Sequence, residues 1–470
     1  MLKDLIFDGL IKVDEKLQVG PNLALSWDHS RDGLYWRFYL RKNIRFHDGV
    51  ELTAKDVKFT LDSILDQKNH SPYLNLLDGI RRVDVKEKNQ VEIELKYPMA
   101  SLIFYLDVGI LPKHLFAGKD IANNEYNYHP VGSGPFKFST RSEKEIVLKR
   151  NEHHFLGKPY LEGIVVKTFG NQSIVWAQLM KKNLDLVFLG SPRGYGIIER
   201  IPDYRVHSPL SLYSYILAFN NGENHLEMRK VRQALNYAVN KEKILEKVLL
   251  ERGLISSGTI CPLSWAHNPN VKPYPYDPKK ALELFTSAGW MDSDGNHILD
   301  RNGVEFEFTI SIVKGDNVSW KTALHVQQQL LDIGIMAKVK PLSFHTFEKS
   351  LLTGRFDAAL LSIISDDPDK NYAWWHSSQI NGGFNVFSYK NKKVDELLDR
   401  GRVTLDVEKR KKIYHQFQRE IHEDPPGIFL FWRDYLIGMH KRFRGVKVSP
   451  AGIFSNVNEW YVPREEQKYR

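Results

Sequence analysis

The sequence predicts an α/β protein made of interleaved domains, and three observations carry that prediction. Residues 304–364 run strand–helix–strand–helix–strand, the pattern of a sheet with crossover helices. Short alternating strands appear earlier, at 35–41 and 91–95. No low-complexity linker or internal repeat divides the 470 residues, a length that suggests two or three domains.

In chain order, Trp36, Phe38 and Leu40 alternate with Arg37, Tyr39 and Arg41, as in a half-buried strand. His47-Asp48-Gly49 supplies a turn. Thr53 then caps a predicted helix with Val57, Leu61 and Ile64 on one face. Val91, Ile93 and Leu95 alternate with Glu92 and Glu94. Val131-Gly-Ser-Gly-Pro-Phe136 reads as a tight turn; a phosphate loop would need a helix after it. Residues 226–251 hold two apolar stripes, Val231, Leu235 and Ala238, then Ile244, Leu245, Val248 and Leu249, with Asn240 placed to cap the second. The proline-rich stretch Pro262 to Pro278 reads as a meandering surface segment.

Phe306, Phe308, Ile310 and Ile312 form the next strand, and Trp320 to Ile333 a helix ended by Gly334. Ile335 to Lys340 is a strand, and Phe344 to Leu352 a helix ended by Gly354. Ala358 to Ile364 is nearly continuously apolar, as in a strand covered on both faces. Loops at the ends of such strands hold ligands, so 365–372 is the first place to look. Helix returns from Val394 to Ile421, Pro425-Pro426 stops it, and Ile428 to Trp432 is a buried strand.

Composition excludes more than it identifies. Hydrophobic residues are 42% and charged residues 26%, as in soluble globular proteins. The net charge of +9 is spread among acids; even Lys409-Arg410-Lys411-Lys412 reads as a solvated helix face, not a nucleic-acid stripe. The single cysteine, Cys261, excludes an internal disulfide and any cysteine-cluster metal site. No window approaches the ~20 apolar residues that span a bilayer. Met1-Leu-Lys-Asp-Leu-Ile-Phe lacks the basic start and apolar core of a signal peptide.

Catalytic signatures are missing: there is no HExxH, GxxxxGK[ST] or GxSxG. His153-His154 reads as a surface loop, since neighbours on a strand point to opposite faces and cannot share an ion. Asp292-Ser-Asp294-Gly-Asn296 with Asp300 departs from calcium-loop spacing and reads as a hairpin turn. No metal, cofactor or enzymatic activity is predicted. Asp366-Asp367-Pro368-Asp369 is the densest acidic loop. Its carboxylates either pair with a cationic ligand group or are solvated turn acids before the helix at Tyr372-Ala-Trp-Trp375. Trp374 and Trp375, with Phe344 and Trp432, either line an apolar cleft or fill a core.

These stretches also occur in a recognisable order. Leu5-Ile-Phe-Asp-Gly-Leu10 is followed by Leu23-Ala-Leu-Ser-Trp27, Leu40-Arg41, and Phe46-His-Asp-Gly49 through Thr53-Ala-Lys-Asp-Val57. Val131 to Phe136, Arg150-Asn151 and Gly157-Lys-Pro-Tyr160 come next, then Phe219-Asn220 and Val231-Arg-Gln-Ala-Leu235. Asp367-Pro-Asp369, Trp375-His-Ser-Ser378, Asn385, Asp395-Glu-Leu-Leu398 and the Arg410–Tyr414 helix complete the series. The whole chain thereby resembles the ABC-transporter solute-binding proteins of family 5, the oligopeptide, dipeptide and nickel-binding type.

The resemblance implies a periplasmic-binding-protein-like bilobed clamp of class II, with three interleaved domains and the ligand cleft between lobes. Residues 1–18, 128–222 and 434–470 would form discontinuous lobe I, 19–127 an inserted small domain, and 223–433 lobe II. It implies a monomer without a cofactor that captures a peptide or similar small ligand by hinge closure and delivers it to an ABC permease. In peptide-binding relatives an aspartate after the strand matching 358–364 pairs with the peptide amine, and Asp366 occupies that place, beside Asp367. Phe344, Trp432 and Asn385 fall at other matching positions, with Trp374 and Trp375 near them. A basic residue and a tryptophan used by some relatives are Leu360 and Ile363 here. Relatives carry an export signal and a first strand before the Gly-Leu segment. Their absence implies an N-terminally truncated chain from the periplasm or the outer face of a membrane, with a sheet edge left exposed. The competing class is the intracellular ligand-sensing domain of a regulator, which a helix-turn-helix would support and which none does here.

Overall fold

The computed structural model describes residues 3–14, 17–188, 192–222, 224–380, 382–450 and 452–468. The small domain begins with a hairpin of β1 (Ile11–Val13) and β2 (Val19–Pro21). Its antiparallel sheet holds β3 (Ala24–His29), β4 (Tyr35–Leu40), β5 (Ile80–Glu87) and β6 (Gln90–Leu95) in the order β3-β4-β6-β5. Trp36, Phe38 and Leu40 face inward as their alternation predicts. Thr53 and Asp56 form a reciprocal capping box at the start of helix Ala54–Leu65, which turns Val57, Leu61 and Ile64 into the core. Leu10 and Ile11 belong to that same core. These two residues, expected in the discontinuous lobe, bury their apolar surface in the small-domain core.

Lobe I contains β7 (Phe136–Arg141), β8 (Glu145–Arg150) and β9 (Gly163–Lys167) as one three-stranded antiparallel sheet. Two further strands, β10 (Leu186–Phe188) and β11 (Tyr204–His207), belong to a second sheet. The turn before β7 presses against the first helix. The Gly134 amide donates to the Ile6 carbonyl at 2.8 Å, and a Cβ on Gly132 would overlap that same oxygen. Close backbone approach, not phosphate binding, explains the Gly-Ser-Gly motif.

Lobe II is organised by β12 (Leu210–Phe219), β13 (Gly253–Ile255), a β14 (Asp300–Arg301)–β15 (Val304–Glu305) hairpin, β16 (Glu307–Val313), β17 (Met336–Leu342), β18 (Ala358–Ile364) and β19 (Gly427–Asp434). Six of them form one sheet in the order β13-β19-β12-β18-β16-β17. β16 runs parallel to β17 and β18, as the crossover pattern predicts, and β12 pairs antiparallel to β18 and β19. Leu360 packs into the apolar cluster on one face, and Ala359 and Ile363 into the cluster on the other. That double cover explains the apolar run of 358–364. The helix expected from Trp320 spans Asn317–Leu331 instead, because Asp316 accepts from the amides of Val318 and Ser319 and sets the start earlier. Asn240 caps helix Lys241–Leu249 as expected.

The last strand, β20 (Ile437–His440), returns to lobe I and lies between β10 and β11. The chain thus crosses between lobes twice, from β11 to β12 at Ser208-Pro209 and from β19 to β20 at Tyr435-Leu436. The crossings are bonded side by side: the Tyr435 amide donates to the Pro209 carbonyl at 2.8 Å, and Ser208 Oγ to Asp434 at 2.6 Å. All of β12, expected in lobe I up to 222, pairs within the six-stranded sheet of lobe II.

Candidate ligand-binding site

The 365–370 loop leaves the end of β18, where the Ser365 amide is fixed to the Leu212 carbonyl at 2.9 Å. Its acids divide into two kinds. Asp366 is 20% exposed at its side chain and bonds Lys370 Nζ at 2.7 Å, four residues on. Asp367 and Asp369 point inward and are almost fully buried.

The buried pair docks lobe II onto the small domain. Ser101 Oγ donates to Asp369 Oδ2 at 2.7 Å, and the Ala100 amide donates to the Arg402 carbonyl at 2.8 Å. The Arg402 guanidinium is 3.5 Å from Asp369 and lies over the Tyr372 ring at 4.1 Å. Asp367 accepts the Asp369 amide at 2.7 Å and sits 3.8 Å from Arg410 Nη2. Burial, with Asp369 and Asp366 nearby, pushes the Asp367 carboxyl up to about 6, although Arg410 opposes the shift. Burial and the same three acids raise the Tyr105 phenol of the small domain well above its usual range. Arg410, read as part of a solvated basic face, is buried because its charge serves this cluster.

The aromatic residues separate similarly. Trp375 is 1% exposed and stacks on Phe387 with ring centroids 5.6 Å apart, so it fills the lobe II core. Asn385 is fully buried, donating to the carbonyls of His376 and Tyr389 and accepting the Tyr389 amide. Both of its amide hydrogens are committed to these carbonyls, and the side chain has no exposed surface. Trp432 is covered by Leu17, Leu212 and Cys261, where the turn after β1 meets lobe II. Trp374 is half-buried and tilts against Phe384, itself 55% exposed. Phe344 is 66% exposed at the start of helix Phe344–Leu352. Asp366, Phe344 and Trp374 are therefore at least partly exposed, while Asp367, Trp375, Asn385 and Trp432 are buried.

Lys370 and Phe384 were not singled out by sequence reading. The i, i+4 spacing of Asp366 and Lys370 was a usable signal for the first. His154, expected in a surface loop, is buried with its Nε2 3.6 Å from Asp8, while His153 is exposed. Among the described residues no cluster of His, Cys, Asp and Glu is placed to hold a metal ion, and no helix is long and apolar enough to cross a membrane.

Residues 18–383 match the family described as "Bacterial extracellular solute-binding proteins, family 5 Middle". The chain belongs to this family. Its family 5 relatives include the oligopeptide-binding protein AppA of Bacillus subtilis, 32% identical over 98% of this chain and 87% of its own length. The solved AppA, in complex with a nonapeptide, superposes with a TM-score of 0.82 at 31% identity, covering 98% of this chain and 94% of that one. NikZ from Campylobacter jejuni, solved with Ni(L-His), gives 0.85 at 33% identity over 97% and 94%. The glutathione-binding protein GsiB of Escherichia coli O157:H7 is 26% identical over 96% of this chain and 87% of its own. The architecture is accordingly the bilobed clamp of family 5, and the ligands named for these relatives differ in chemistry.

Proposed function

We propose that this chain is the extracytoplasmic solute-binding component of an ABC importer, periplasmic or held at the outer membrane face. It captures a peptide or similar small ligand between its lobes and hands it to a membrane permease. The observation that carries this reading is the pair of strand crossings at 208–209 and 435–436, which lets two independently packed lobes hinge about one narrow connection. The nonapeptide bound by AppA supports a peptide in that cleft, and Ni(L-His) on NikZ keeps a smaller ligand in view.

Asp366 is the proposed anchor for a ligand amine. Its Oδ2 accepts from Lys370 and its Oδ1 from the Asp367 amide at 3.0 Å, so an incoming ammonium competes with that lysine or uses the remaining lone pairs. A charge-assisted contact of this kind is worth ~1.5–3 kcal/mol. Calorimetry with a co-purified peptide tests the assignment. Asp366→Ala is expected to weaken binding tenfold or more, at about 1.4 kcal/mol per decade, and Lys370→Ala to tighten it. Unchanged affinity in Asp366→Ala removes the residue from the site.

A further inference from the structure

The small domain and lobe I form one body, because they share a core. Val131 and Phe155 of lobe I pack into the small-domain cluster. The Gly132 amide donates to His47 Nδ1 at 3.2 Å, and the ring's Nε2 donates to the Gly134 carbonyl at 3.0 Å. Lobe II meets this body again through residues remote in sequence from the crossings at 208–209 and 435–436. Leu405, just beyond helix Lys392–Val403, packs into the small-domain cluster. It seats on Gly33, where an added Cβ would come within 2.6 Å of the leucine Cδ1 and 3.4 Å of Pro98. The Arg402 guanidinium lies over the Tyr372 ring of its own lobe and 5.8 Å from the Tyr97 ring centroid of the small domain. Bonds from Ser101 Oγ to Asp369 and from the Ala100 amide to the Arg402 carbonyl flank that guanidinium.

We propose that this contact is a lock on the closed clamp, made by Arg402 and Leu405 without touching the ligand. The proposal rests on the hinge-closing reading above and names what holds the hinge shut. The chemistry suits a contact that forms and breaks. When Tyr97 withdraws, the guanidinium keeps the Tyr372 ring beneath it, so opening strands no bare charge. When Ser101 leaves, Asp369 keeps Arg402 at 3.5 Å and the Tyr414 hydroxyl at 3.4 Å. Leu405 is only half-buried, so its release exposes part of one apolar side chain. Neither Arg402 nor Leu405 is among the side chains proposed to meet ligand, and both are positioning residues. A clamp that binds only when closed has an apparent dissociation constant equal to the intrinsic one divided by the closed fraction. The lock raises that fraction whatever fills the cleft, and so scales the affinity for every ligand by one common factor.

Small-angle X-ray scattering and calorimetry on the 470-residue protein test the lock, with Arg402→Ala and Leu405→Ala as the variants. Without any peptide, both are expected to keep the wild-type circular dichroism and to show a larger radius of gyration, since a smaller fraction is closed. Trialanine and trilysine then serve as two ligands of different charge. Each variant is expected to weaken both by the same factor, about tenfold, mainly through faster dissociation. The ratio of the two affinities is expected to keep its wild-type value. Should Arg402→Ala lose its circular dichroism, Leu405→Ala decides, because it removes no charge. An unchanged radius of gyration in the folded variants overturns the lock. So does weakening of one peptide alone, which would make these residues ligand contacts. The scattering needs no peptide, so failure of both peptides to bind counts against the peptide reading and leaves the scattering to decide the lock.

Discussion

Lobe II and lobe I solve the same problem unequally. Lobe II closes six strands into one sheet, with a large apolar cluster on each face. Lobe I divides its strands between two three-stranded sheets, and its apolar clusters are smaller and partly open to a cavity lined by Gly163–Lys167 and Leu186–Phe188. The difference teaches where stability resides. A continuous sheet pairs its internal edges and buries both faces, so perturbations there are felt fully. A divided sheet leaves surface that has little yet to lose. Substitutions of similar chemistry should therefore cost far more in lobe II.

The largest effect is expected at Arg410. Its guanidinium faces Asp367 inside the interdomain cluster, lies 5.4 Å from the Trp265 ring centroid, and donates to the Gly401 carbonyl at 3.0 Å. Arg410→Ala leaves the buried Asp367 carboxylate without its cation and should cost about 3–5 kcal/mol. Chemical denaturation reads this directly, and a loss below about 1 kcal/mol would mean the acids are stabilised without it.

The same cluster should give lobe II a pH signature of its own. The Asp367 carboxyl titrates at about 6 in the folded protein against its ordinary 3.8. Between those values the folded chain holds a proton that the unfolded chain has released, so this group's contribution falls as pH rises from 4 to 6. At about 1.4 kcal/mol for each pH unit across that window, the change is up to about 3 kcal/mol. Asp367→Asn should flatten that part of the stability–pH curve, since an amide oxygen can still accept the Asp369 amide. A curve identical to wild type would show that Asp367 does not titrate there.

This asymmetry also bounds what the sequence can reveal. Elements of lobe II were legible because their signals are local: alternation in 306–312, the glycine stops at 334 and 354, the cap at Asn240. The strand at 358–364 announced its double cover through composition alone. Neighbouring hairpin strands such as β7 and β8 pair within a few residues of each other. β20 was not foreseen, since four residues between two strands from elsewhere in the chain carry no periodicity of their own. The site was less legible than the fold. Asp366 and Asp367 are adjacent and chemically identical, and only tertiary packing turns one toward solvent and the other toward Arg410. Trp375 read as lining a cleft or filling a core, and only its long-range burial against Phe387 places it in the core.

Lobe II also carries a misfit that sharpens the point. Lys241 is 2% exposed at the start of its helix, with Nζ 5.7 Å from the Tyr274 ring centroid. Burial pushes its ammonium down to about 7. From pH 7 toward 10.5 the unfolded chain keeps a proton the folded chain has lost, so stability should rise with pH across that window. Lys241→Met fills the same space without a charge and should stabilise by about 1–3 kcal/mol at pH 7. The alkaline rise should disappear with it. A destabilised variant would mean that the cation and the Tyr274 ring contribute more than desolvation costs.

The smallest effect belongs to lobe I, and it is the sharpest test of the comparison. Val165 sits on β9, half exposed to the cavity, with no sheet neighbour on that side among the described residues. Val165→Lys should change stability by no more than about 0.5 kcal/mol, as at an ordinary surface position, because the long side chain can extend through the open gap to water. A loss above about 2 kcal/mol in thermal denaturation, well beyond that surface range, would mean that β9 is already covered in solution, and the contrast between the lobes would fail at its weakest edge.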